Sequence, residues 1–76
     1  MNTEELGIKI KALGISPRFY SLDGELIDDA IVLDKFIEDG WYRVFYLDEK
    51  GNYRKEQKID SEEKACEYIY DLFTKP

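Results

Sequence analysis

Seven consecutive residues, Trp41-Tyr42-Arg43-Val44-Phe45-Tyr46-Leu47, carry large side chains at both odd and even positions. In an extended strand successive side chains point to opposite faces, so this run cannot lie on the surface with one plain polar side. It is rich in strand formers on both faces and reads as the central strand of a sheet. Either Trp41, Arg43 and Phe45 or Tyr42, Val44 and Tyr46 must then face away from the layer that covers the other side. Turn signals bracket the run: Asp39-Gly40 precedes it, and residues 48–52, with Gly51, follow it.

The neighbouring segments fit around that strand. Residues 30–38 place Ile31, Leu33 and Ile37 on one face and Val32 and Phe36 on the other, and Asp39-Gly40 predicts a tight hairpin into residues 41–48. Residues 53–59 return with Arg54, Lys55, Glu56 and Lys58, as expected of a charge-protected edge or a solvated face. A further Asp-Gly pair, Asp23-Gly24, predicts a hairpin between residues 18–22 and 25–27.

Helices close both ends. Over residues 1–14, Thr3 is placed to cap, Glu4 and Glu5 suit the positive end of the helix dipole, and Leu6, Ile10 and Leu13 share one face. Gly14 fits the left-handed position after the helix, and Pro17 prevents continuation. The second helix begins at Asp60 or Ser61, with Asp60 and Glu63 at capping-box spacing. Ala65, Ile69, Leu72 and Phe73 form its apolar stripe, flanked by Cys66 and Tyr68. The expectation is one α+β domain over residues 1–76, in the order α-β-β-β-β-α. Its three- to four-stranded antiparallel meander has both helices on one face.

Charge is distributed unevenly. Asp23, Glu25, Asp28, Asp29, Asp34, Glu38 and Asp39 face only Lys35 within residues 23–39, so this stretch holds the whole net charge of −6. Such a field draws basic partners and speeds their association; a solvated acidic edge is the simpler reading of the same residues. These seven acids, with Trp41 and Tyr42 as aromatic anchors, are the candidate partner-binding residues. A pI near 4.5 argues against direct nucleic-acid binding, which depends on Lys and Arg.

Catalytic signals are lacking. With no histidine, the usual general base, triad partner and metal ligand are missing. The acids do not follow the alternating spacing of a calcium loop, and the glycines are single turn residues rather than a phosphate-binding loop. No metal, cofactor or enzymatic activity is expected. Cys66 is the lone cysteine and reads as a small buried hydrophobe. With no signal-like segment and no membrane-length apolar run, the expectation is a cytoplasmic protein without a membrane partner.

Three stretches carry a resemblance: Tyr20-Ser21-Leu22-Asp23-Gly24, Trp41 through Tyr46 with Asp48-Glu49-Lys50-Gly51, and Ser61-Glu62-Glu63-Lys64-Ala65-Cys66-Glu67-Tyr68. In their order they resemble a family of small immunity proteins that protect bacteria from their own polymorphic toxins. The Asp-Glu-Lys-Gly turn departs from the more basic Glu-Arg-Gly of that pattern. The resemblance implies an inhibitor, monomeric or a weak homodimer, that binds its cognate toxin domain, for instance a nuclease, and blocks its active site or substrate groove. The competing expectation is a small cytosolic regulatory or adaptor domain, self-associating through sheet edges.

Overall fold

Both helices are ended by side-chain chemistry that can be read residue by residue. A computed structural model of the chain describes residues 1–36 and 40–75, and for Phe36 the backbone alone. Helix α1 spans Thr3–Ala12 and is capped by Asn2, whose side chain accepts from the Glu5 N–H at 2.8 Å. Thr3 therefore lies inside the helix rather than at its cap. At the other end Gly14 takes φ 81°. The Gly14 and Ile15 N–H groups donate to the carbonyls of Lys11 and Ile10, which completes a Schellman motif. Helix α2 spans Glu62–Thr74 and is capped by Ser61, which accepts from the Lys64 N–H at 3.2 Å.

Between them a short 3₁₀ turn, Pro17–Phe19, leads into four strands: β1 Tyr20–Ser21, β2 Ala30–Phe36, β3 Trp41–Leu47 and β4 Tyr53–Ile59. They lie side by side in chain order. The class is α+β in the expected order α-β-β-β-β-α, and the sheet is mostly antiparallel. Strand β3 is central, as its two-sided apolar pattern requires. The Asp39-Gly40 turn, like Glu38 and Ile37, involves residues outside those described.

One pairing differs from the expected meander. Strand β1 runs parallel to β2, Tyr20 opposite Ile31 and Ser21 opposite Val32, and residues 25–27 form no strand. The Asp23-Gly24 pair does turn the chain, but into a crossover. Asp23 Oδ1 accepts from both the Ser21 hydroxyl and the Glu25 N–H at 3.1 Å, which bends the backbone away from the sheet after two paired residues. Gly24, at φ 85°, lies against the Asp34 carboxylate. The returning 22–29 connection therefore passes the face on which Asp34 stands.

Both helices pack on the opposite face. Leu6 and Ile10 of α1 and Ala65, Cys66 and Ile69 of α2 close on Leu33 and Val44 of the sheet, all at most 3% exposed. Cys66 is fully buried there. The Thr3 N–H donates to Glu62 Oε2 at 2.9 Å and ties the two helix starts together. Leu13 and Leu72, expected in the apolar stripes, are each nearly half exposed.

Candidate functional site

The period-two rule puts Trp41, Arg43, Phe45 and Leu47 on the face turned away from the helices, hereafter the open face. Register adds Val32 and Asp34 from β2, and Tyr53 and Lys58 from β4. Val32, Phe45 and Leu47 are buried here as a second, smaller core. The Tyr53 ring supplies much of the cover, since it stacks on Phe45 with centroids 4.4 Å apart and planes 2° from parallel.

Arg43 organises this face. Its Nη2 meets Asp34 Oδ2 at 2.9 Å and its Nη1 meets Glu56 Oε2 at 3.7 Å. Its guanidinium also lies 4.9 Å from the Phe45 ring centroid and 5.4 Å from that of Tyr53, within cation–π range. At the N-terminal end of β3 the Lys58 ammonium sits 5.0 Å from the Trp41 ring, which is 36% exposed. Trp and Tyr surfaces ordered by Arg and Lys have the composition of energetically dominant interface residues.

The sequence-predicted acids do not form one patch. Asp23 and Glu25 stand beside Asp34 near the start of the crossover, where Gly24 touches Asp34. Asp28 and Asp29 lie at its far end, where the Tyr46 hydroxyl donates to Asp29 Oδ1 at 3.0 Å. Asp29 holds φ 57°, the left-handed region that an Asp tolerates better than most residues. Three acids thus do internal work: Asp34 on Arg43, Asp29 on Tyr46, and Asp23 on the Ser21 hydroxyl and the Glu25 N–H. Glu25 and Asp28 are exposed, and neither forms an ion pair among the described residues. Glu38 and Asp39 lie outside the described residues.

Trp41 and Tyr42 are separated by the sheet. Tyr42 packs against the helix-side core, with the Lys35 ammonium 5.8 Å from its ring. Only Trp41 stands on the open face. Sequence reasoning omitted Tyr53 and Lys58 from the candidate residues. The strand register would have found them, because residues opposite Leu47 and Arg43 must share their face.

Electrostatic perturbations concern fold-maintaining groups. The Arg54 guanidinium at 2.7 Å, with the N–H groups of Asn52 and Lys50, holds the Asp48 carboxyl down to about 2. The Tyr46 hydroxyl is pushed up, first by its hydrogen bond to Asp29. Burial raises the Cys66 thiol. Among the described residues no three Asp, Glu or Cys side chains cluster as metal ligands. No helix among them is long and apolar enough to cross a membrane. No protein-family model, curated protein or solved structure matches this chain.

Proposed function

We propose that this chain is a non-catalytic immunity protein that binds and neutralises a cognate bacterial toxin domain. The observation that carries the reading is the pair of exposed crossover acids, Glu25 and Asp28, which form no ion pair among the described residues, in a fold whose open face exposes Trp41 and Tyr53. Carboxylates without internal partners supply steering and charge pairs to a basic surface. Rigid aromatic rings supply the desolvated anchor that such contacts need around them. The resemblance of the 20–24, 41–51 and 61–68 stretches to immunity proteins adds the class of partner. An acidic surface of this kind can occupy the substrate groove of a basic nuclease in place of phosphate charge.

Searching the neighbouring genes for a toxin domain and co-expressing that domain with this chain tests the reading. Cells carrying both should grow, and the Glu25→Lys/Asp28→Lys variant should protect less. These two positions are preferred to Asp29 and Asp34, whose reversal would also disturb Tyr46 and Arg43. Growth arrest despite soluble wild-type protein would overturn the proposal. A stable complex with a partner that is no toxin would favour the adaptor reading instead.

A further inference from the structure

Strand β1 pairs with Ile31 and Val32 and then stops, so residues 33–36 of β2 have no strand on that side among the described residues. Alternate residues of a strand turn both N–H and C=O to the same edge. Two of these four residues therefore present donor and acceptor groups outward. Beside this half-edge runs a trough of about 450 Å³ lined by Leu22, Asp23, Leu33, Asp34, Lys35 and Tyr42, with Thr3 and Glu62 at the helix starts. A second hollow adjoins it across Asp23 and adds Glu4 and Glu25.

The opposite edge of the sheet is defended by a bulge and by charge, whereas this half-edge has the Asp23-Gly24 turn beside Asp34 and no paired strand among the described residues. Strand β4 breaks its register between Val44 and Tyr46, carries Lys55 at φ 53° and exposes Arg54, Lys55, Glu56 and Lys58. Bulges and edge charges of that kind discourage strand addition. The β2 half-edge contains neither bulge nor proline among the described residues, and Lys35 is its one cation.

Charge selects the occupant. With Asp34 paired to Arg43, the trough and its neighbour keep Glu4, Asp23, Glu25 and Glu62 against Lys35. The two helix N-termini add about half a positive charge each, which leaves the trough negative. A second copy is a poor fit. Two-fold pairing of β2 centred on Asp34 or Lys35 sets like charges directly opposite, and both troughs carry the same sign.

We infer that the β2 half-edge at residues 33–36 accepts an extended basic segment of the protein partner as an added strand, with alternate Lys or Arg side chains on one of its faces reaching the carboxylates of the trough. This rests on the toxin-neutralising reading and specifies how that partner docks. The added strand lies end-on beyond β1 and covers roughly 13 Å of edge, four residues at about 3.3 Å each.

The test uses the full chain and three synthetic hexapeptides: alternating Val-Lys, the same peptide N-methylated at alternate residues, and alternating Val-Glu. The Val-Lys peptide should bind and slow amide hydrogen exchange at two alternate positions within residues 33–36 by at least about tenfold. N-methylation keeps the charge but removes strand hydrogen bonds, and should weaken binding about tenfold, as expected for roughly two bonds. The Val-Glu peptide should not bind. Equal binding of the N-methylated peptide, protection confined to Tyr53–Ile59, or no binding overturns the inference. Failure here with growth rescue intact removes the docking mode alone. Peptide binding without rescue removes the toxin reading alone.

Discussion

Replacing Tyr53 by Ala should show how far the open-face core depends on one partly exposed ring. Tyr53 is 44% exposed, and its ring lies flat on Phe45, itself 1% exposed. A little over half of the Tyr surface is thus covered, roughly 100 Å² of the 150–250 Å² that an aromatic residue can bury. At about 25 cal/mol per Å² that gives roughly 2.5 kcal/mol, an upper figure because the unfolded chain is already partly compact. The stacked geometry adds about 0.5–1.5 kcal/mol, and relaxation of Arg43 over the exposed Phe45 ring returns part of it. A net loss of about 2 kcal/mol is expected, near half of the 3–5 kcal/mol typical of a single small core. In urea, with a slope near 1 kcal/mol/M for so short a chain, the midpoint should fall by roughly 2 M. Tyr53→Phe keeps the ring and should stay within about 0.5 kcal/mol. A Tyr53→Ala loss below about 0.5 kcal/mol, or an equal loss in Tyr53→Phe, would refute the stacking argument.

Three further outcomes are expected. Gly24→Ala should cost about 1–2 kcal/mol in a denaturation curve, since φ is 85° and the new Cβ would sit 3.0 Å from Oδ1 of the Asp34 carboxylate, whose Oδ2 is held by Arg43. The Asp48 carboxyl lies at about 2 in the fold against 3.8 when unperturbed. Its contribution is therefore complete above about pH 3.8 and lost as pH falls toward 2. Stability of Asp48→Asn measured against pH should accordingly converge on the wild type at the acid end. Cys66, fully buried with its thiol pushed up, should react with a thiol reagent only at the rate of global unfolding; fast labelling of the native protein would contradict its place in the core.

Much of the fold was legible because its signals were redundant. Strand β3 announced itself by apolar residues on both faces, and α2 by a cap and a stripe that agree. The β1 crossover was not legible, because turn chemistry reports that the chain bends and not whether the bent segments pair. Asp23 and Gly24 serve a hairpin and a crossover equally well; the side-chain bonds from Asp23 to Ser21 and Glu25 decide between them. Asn2 and Thr3 are both good caps, and only the Glu5 N–H shows which one is used. At the candidate site, local charge marked these acids alike and could not tell the unpaired Glu25 and Asp28 from Asp29 and Asp34. That distinction comes from Tyr46 and Arg43, which lie far along the chain and meet those acids only across the folded sheet.

The most direct measurement is the association rate of this chain with the toxin domain proposed as its partner as ionic strength is raised, for the wild type and for Glu25→Lys/Asp28→Lys. Steering by the crossover acids predicts a wild-type rate that falls steeply with salt, and a variant slower by about tenfold or more at low salt with a flatter dependence. Equal rates and equal salt dependence in the two proteins would contradict it.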